Sequence, residues 1–481
     1  MSSEEAKNGP GYPSPLWAYE NGPREKILYV ANIQPNLEDE KGDYLSVVDV
    51  DPESQTYCQV IHRAFSEAKG QEFHHMGWNT CSSRHCCQNT KRNKLILPCL
   101  NSDAIYVFDV EYNLKKPKIH KVNYGEMLRS HDVSAPHTVH CLPSGNLMIS
   151  TLGDKDGNAK GDFILLDKNF DVIGTWSKDK KALCGYDFWY QPYFDVLIGT
   201  EWGAPKLFRK EFSISAMQST RDFGQRLNVY SYNDGTLLDT IDLGMEGKLP
   251  LEIRFLHNPK RCEGFVGCAF YSNMFYFYKK DPKDEKFTVK KVIDVPAKKV
   301  EGWYMPELYG MMVDLVISLD DRFLYFSNWF HGDVRQYDIS DPLNPRMTGQ
   351  IFLGGMIHKG TDLKLIEDEE LKVQPEARFI KGRQIFGGPQ MLQLSLDGKR
   401  LYVSNSFYSP WDKMLYPDLV KNGSTIVQID IDTTNGGMTL NENFLVDFGK
   451  EPNGPVLAHE MRYPGGDCTS DIWLADDNDN N

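Results

Sequence analysis

Apolar and polar positions alternate poorly in the best-patterned stretch of this chain, and that is what makes it informative. In SLDDRFLYFSNWFHGDVRQYDIS (318–340), Asp320-Asp321 predict a turn, 323–327 a first strand and 334–339 a second, with a wider loop over 328–333. The first strand is apolar at nearly every position, so both of its faces are expected to be buried. The same signature recurs. Strands ending in an aromatic or apolar residue plus Asp or Tyr are YLSVVDV, AIYVFDV, DFILLD, LNVYSY, MFYFYKK, VRQYDI and TIVQIDI. Most follow another apolar run: KILYVAN, NKLILPC, NLMIST, DVLIGTEW, GFVGCAF, RFLYFSN and RLYVSN. Turn residues such as Ser144-Gly145, Asn233-Asp234-Gly235 and Asp397-Gly398 punctuate them.

Seven strand pairs at broadly even spacing predict an all-β fold, a seven-bladed β-propeller with a few short helical insertions. Two β-sandwiches side by side are the alternative, but sandwiches rarely repeat one hairpin so often. Helical turns are expected only at 206–212, 363–371 and 412–421. Residues 1–20 read as a flexible N-terminal arm, 21–475 as a single propeller domain and 476–481 as a disordered acidic tail. An acidic insertion over about 358–388 reads as a solvated surface loop on one face. A final strand at 472–474 is expected to help close the ring with N-terminal residues.

Composition narrows the partners. A hydrophobic fraction of 41% suffices for a packed interior, and a net charge of −14 disfavours nucleic acid and anionic membrane as main partners. No apolar run approaches the roughly 20 residues of a spanning helix. The N-terminus is polar and acidic, unlike a signal peptide. Ten irregularly spaced cysteines read as reduced cytosolic thiols. The expected location is therefore the cytoplasm, with nuclear and peripheral membrane pools as further expectations. No phosphate-cradling glycine motif opens a helix, and Asp154-Lys-Asp-Gly-Asn158 reads as a turn rather than a calcium loop.

The candidate chemistry lies in the histidines. Of twelve, His74-His75, His137 with His140, His257, His331 and His459 fall in five segments near successive hairpin starts. In a propeller such segments meet at the central channel, and converging neutral imidazoles suit copper, zinc, iron or nickel. A core or turn role is the plainer reading for any one of them. His74 and His75 are adjacent, so on a regular strand only one reaches a shared centre. Glu201, Glu252 and Glu460 are candidate partners of the imidazoles or bases. Glu201, in an apolar strand, has a hydrogen bond within its own blade as the competing role. Cys58, on an expected strand near Arg63, is a candidate thiolate nucleophile or a small buried hydrophobe.

At these motifs the chain closely resembles the selenium-binding protein 1 family, which includes methanethiol oxidases. The matching segments are YCQVIHR, FHHMGWNTCSS, GYDFWYQP, EIRFLHNP, SLDDRFLYFSNWFHGDVRQYDISDP, GGPQMLQLSLDGKRLYVSNS, YSPWDKMLYPDL, NFLVDFGKEPNGP and AHEMRYPGGDCTSDIW. The resemblance implies a seven-bladed propeller that converts methanethiol, O2 and water to formaldehyde, hydrogen sulfide and hydrogen peroxide, with copper as cofactor. Carried over by motif, His74 or His75, His137, His140, His257, His331 and His459 are candidate metal ligands, and Cys58 is the candidate selenium site. The family's CSSC reads Cys81-Ser82-Ser83-Arg84 here. The alternative it implies is a non-enzymatic selenium-binding propeller that docks proteins in intracellular transport, at the membrane periphery or elsewhere.

Overall fold

A computed structural model describes residues 9–475 apart from 39, 40, 86, 88, 179 and 282. The predicted acidic tail and the first eight residues of the predicted arm lie outside the described residues. The fourteen runs picked out by their apolar pattern all become strands, and each pair forms the two middle strands of a four-stranded antiparallel sheet. Seven such sheets are present among the described residues. Middle strands such as Ile27–Ile33, Lys94–Pro98 and Phe323–Asn328 are buried along their whole length, because each is covered by neighbouring sheets on both faces. Last strands such as Leu237–Asp242 alternate between half-buried and exposed, as sheet edges do.

The first strands of consecutive sheets pack on one another: Gly77–Trp78 on Ser134–Cys141, Phe188–Gln191 on Pro250–Phe255, then Met312–Ile317, Leu392–Leu394 and Leu457–Arg462 in turn. Apolar layers fill the gaps between sheets; Phe265, Met274, Leu315, Leu324 and Phe326 share one of them. This all-β arrangement is consistent with a β-propeller. Closure comes from Leu457–Arg462, which pairs with Ile27–Ile33 of the N-terminal sheet. The expected closing strand at 472–474 does not form. Instead Asp471 takes the guanidinium of Arg92 at 2.7 Å, and Trp473 donates to His257.

Three further expectations need correction. Residues 9–20 are not a free arm: Pro15–Asn21 is helical, and Tyr12 is buried against Trp17. Segment 363–371 is not helical, since Lys364–Glu367 pairs with Lys298–Glu301 in a small three-stranded sheet. The 358–388 insertion is correspondingly anchored rather than simply solvated, because Glu370 holds Arg335 at 2.7 and 2.8 Å and Asp368 holds Lys298 at 2.7 Å. The other two expected helical stretches do hold short helices, Pro205–Phe208 and the pair Ser409–Leu415 and Pro417–Asn422. These helices pack with Trp202, Trp329 and Phe407 into one aromatic cluster. Among the described residues no helix is long and apolar enough to cross a membrane.

Candidate functional site

Four of the predicted histidines meet. The ring of His74 stacks on His459 at 3.9 Å, and His75 lies 4.0 Å from His137. His74 is 5.0 Å from both His75 and His137. One ring nitrogen from each of His74, His75 and His137 lies within 4.8 Å of the other two. All four side chains are buried.

Irregular backbone makes this convergence possible. His74 and His75 occupy an unpaired stretch between a bridge at Phe73 and the strand Gly77–Trp78, so the alternation rule does not apply and both rings reach the centre. Glu72 enters that stretch at a left-handed φ of 57°. Its carboxylate accepts from the Ser409 N–H at 2.7 Å and the Ser409 hydroxyl at 2.5 Å, which holds the strained turn in place. His137 lies where the register of Ser134–Cys141 slips between Pro136 and Val139. His459 and Glu460 lie where Leu457–Arg462 slips against Ile27–Ile33, and Glu252 where Pro250–Phe255 slips between Pro250 and Ile253. A bulge on a first strand thus re-aims each of these side chains.

The donor set fits a soft or borderline transition metal. His459 Nδ1 donates to the Ser406 carbonyl at 2.8 Å, which fixes the tautomer and leaves Nε2 with its lone pair. His459 Nε2, His137 Nε2, His75 Nε2 and both nitrogens of His74 have no hydrogen-bond partner although buried. Unpartnered buried nitrogens are costly unless something ligates them. Burial, reinforced by the neighbouring imidazoles, holds His74 and His75 well below the usual histidine range. Burial likewise lowers His137 to about 3 and His459 to about 4. All four are therefore neutral at pH 7, the form that binds metals.

Two of the three candidate carboxylates flank this group. Glu460 Oε1 is 3.6 Å from His75 Nδ1, and Glu252 Oε1 is 4.0 Å from His75 Nε2. Glu460 is held by Arg462 at 2.5 Å and by the Met76 N–H, and Glu252 by Arg254 at 2.8 Å. Burial raises Glu460 to about 8 and pushes Glu252 well up. Sequence reasoning missed the rest of this lining. Arg254 also pairs with Asp187 at 2.7 Å, Asp314 accepts from the Leu392 N–H at 2.6 Å, and Tyr186 lies 4.0 Å from His137. The signal used for Glu201, a charge inside an apolar strand, was equally present in MVDLVI and EIRF.

The remaining candidates lie elsewhere. His140 packs its ring edge-on against Phe188 and Trp189 at 5.1 and 4.9 Å. His257 has both nitrogens engaged, Nε2 with the Ile317 carbonyl at 3.0 Å and Nδ1 with Trp473 at 3.2 Å. His331 donates to the Leu308 carbonyl at 2.9 Å. Glu201 is bound within its own sheet by Arg226 and Asn228 at 3.0 and 3.1 Å. Cys58 is not on a strand but in the turn before Val60–Phe65, at a φ of 64°. Arg63 is bound to Glu451 at 2.5 and 2.8 Å, and burial raises the Cys58 thiol rather than favouring its thiolate.

Comparison with known proteins finds relatives over nearly the whole chain. The model of the 56 kDa selenium-binding protein family matches residues 6–474. A methanethiol oxidase of Xenopus laevis is 56% identical over 469 residues, 97% of this chain and 98% of that protein. The Homo sapiens methanethiol oxidase is 53% identical over 477 residues, 98% of this chain and 100% of that protein. Selenium-binding protein 2 of Mus musculus is 54% identical over the same share. Among solved structures, a hypothetical selenium-binding protein from Sulfolobus tokodaii superposes with a TM-score of 0.86 at 33% identity, covering 97% of this chain and 99% of that one. A family model that spans nearly the whole sequence, together with relatives more than half identical, shows that this chain belongs to the 56 kDa selenium-binding protein family.

Proposed function

We propose that this protein is a methanethiol oxidase whose centre is a metal held by His74, His75 and His137, with His459 as the fourth imidazole of the group. The reaction is CH3SH + O2 + H2O to HCHO + H2S + H2O2. Curated relatives more than half identical over nearly the full length carry the name methanethiol oxidase, which supports the reading. The observation that carries it is the buried group of neutral imidazoles with unpartnered nitrogens. We read the ring as seven-bladed, one blade per four-stranded sheet, and the metal as copper.

Copper, when bound, supplies affinity for a soft thiolate and a redox couple able to pass electrons to O2. The chain's own residues do the rest. The Ser406 carbonyl aims His459 by holding its Nδ1–H. Tyr186, packed on His137 at 4.0 Å and against Trp202 at 5.5 Å, joins the centre to the aromatic cluster and keeps bulk water from that side. Glu252 keeps Oε1 free of hydrogen bonds beside His75, and burial holds its carboxyl protonated, placed to give a proton to reduced oxygen. Glu460, saturated by Arg462 and Met76, orients His75. Selenium capture at Cys58 is a separate property of a site on another part of the first sheet.

The test pairs elemental analysis of chelator-free protein with an assay of all three products. Copper near one equivalent and equimolar hydrogen sulfide, formaldehyde and peroxide are expected. Copper-loaded protein that consumes methanethiol without releasing peroxide would sink the proposal.

A further inference from the structure

Two cysteines sixty positions apart in the sequence come together on the segments that carry His74–His75 and His137. Cys81 precedes the short turn Ser82–Arg84, just after the strand Gly77–Trp78. Cys141 ends the strand Ser134–Cys141, which carries His137. The two segments approach closely at Gly77, where an added Cβ would meet the Val139 carbonyl oxygen at 2.6 Å and the Val139 Cβ at 2.7 Å. Ser83 Oγ lies between the thiols, 3.2 Å from Cys81 Sγ and 3.9 Å from Cys141 Sγ. The turn is rigidly held: Ser82 donates through N–H and Oγ to Asp471 at 2.7 and 2.6 Å, and Arg92 locks Asp471. Both cysteines are free thiols.

We propose that Cys81 and Cys141 form a peroxide-sensitive pair that closes into an intramolecular disulfide. The bond ties the segment following His74–His75 to the end of the His137 strand. The roles within the pair follow from their surroundings. Burial opposes ionisation of Cys81, but the Cys141 thiol and the Ser83 hydroxyl hydrogen-bond it and bring it below the ordinary thiol range. Burial and the neighbouring Cys81 push Cys141 well up. Cys81 is therefore the attacking thiolate and Cys141 the resolving thiol.

The step balances with a hydroperoxide as oxidant. Cys81 sulfur attacks one oxygen of H2O2, the O–O bond breaks, and the departing oxygen leaves as water, giving Cys81–SOH. Cys141 sulfur then attacks Cys81 sulfur, the S–O bond breaks, and a second water leaves. Two thiols are oxidised by two electrons while peroxide is reduced to two waters. The proposal does not depend on the oxidase reading, because peroxide is added as a reagent.

The experiment treats the full chain with hydrogen peroxide, alkylates it under denaturing conditions and maps the cysteines by mass spectrometry. A Cys81–Cys141 cross-linked peptide, reversed by dithiothreitol, is expected. Cys81 should be lost about tenfold faster than Cys268, which is buried among apolar side chains. In Cys141→Ser the Cys81 sulfenic acid should persist and be captured by dimedone. Recovery of both cysteines fully alkylated at a dose that oxidises the half-buried Cys58, or a link from Cys81 to Cys86 or Cys87 instead, would overturn the assignment.

Discussion

The strand Phe323–Asn328 pairs with Asp333–Asp338 in unbroken register and is buried at every position, whereas Leu457–Arg462 breaks register at the point where it presents His459 and Glu460. Both are strands of the same kind of sheet. The first is a middle strand, covered on both faces by neighbouring sheets, so regular pairing and apolar side chains both serve it. The second is a first strand packed against other first strands, and regular pairing there would send its polar side chains into an apolar layer. A bulge breaks the alternation and turns them toward one another. The same device recurs at His137 and Glu252. Middle strands therefore carry stability, and first strands carry the candidate chemistry.

Substitutions at the histidine centre and in a middle strand should separate these roles. The largest effect is expected from His75→Ala. Methanethiol oxidation should fall by at least ~10³-fold, about 4 kcal/mol, with parallel loss of copper. Denaturant unfolding of the metal-free protein should shift by no more than about 2 kcal/mol, because a buried nitrogen without a partner disappears with the ring. Normal copper content and rate in this variant would break the comparison. Leu324→Ala is the converse. It empties a fully buried position in a middle strand and should cost about 3 kcal/mol of stability. Copper bound per folded molecule, and the rate per copper, should stay within about twofold.

Legibility in the sequence divides along the same line. Apolar-rich runs mark the middle pairs, because burial on two faces leaves little room for polar residues, and the charged ones that occur there, such as Arg335 and Asp333, are paired with each other. First strands were mostly invisible. Gly77–Trp78 is two residues long, and SAPHTVHC and LAHEMR have the polar content of loops. The apolar run at 472–474 therefore suggests a closing strand, whereas Leu457–Arg462 supplies it. Four of the histidines stand out because imidazole is rare, but sequence spacing does not separate them from His257, whose two nitrogens go to the Ile317 carbonyl and Trp473, or from His331, whose Nε2 goes to the Leu308 carbonyl. Backbone partners leave no trace in residue identity. Cys141 is hidden for another reason, since Cys81 reaches it from a turn sixty positions away in the sequence.

His331 offers a test from the middle-strand side. It sits at the tip of the most regular hairpin, and burial lowers it from 6.5 to about 4. A depressed folded value means that its neutral form favours folding above about pH 6.5, and that this contribution is lost as pH falls toward 4. Relative to His331→Gln, the wild type should lose roughly 3 kcal/mol of unfolding free energy between pH 7 and 4. Urea titrations of both proteins across that range check it. A constant difference would show that the ring is not held neutral by the fold.

The smallest effect is expected at Glu201, where the two kinds of position adjoin. It follows the middle strand Val196–Gly199, yet it was a candidate for chemistry because a charge in such surroundings needs a reason. Its two oxygens accept from Arg226 Nε at 3.0 Å, Asn228 Nδ2 at 3.1 Å and the Gln225 N–H at 3.2 Å. Glu201→Gln keeps the shape and one acceptor oxygen, but turns an amide N–H₂ toward a donor. Arg226, a quarter exposed, can swing to water. The net cost should be about 1 kcal/mol in unfolding free energy, with oxidation rate and copper content unchanged. Glu252→Gln, beside His75, removes instead the carboxyl placed to move a proton, and should lower the rate by about 10²-fold with copper retained. If Glu201→Gln slows turnover as much as Glu252→Gln does, the division between stabilising and reactive positions does not follow the strands.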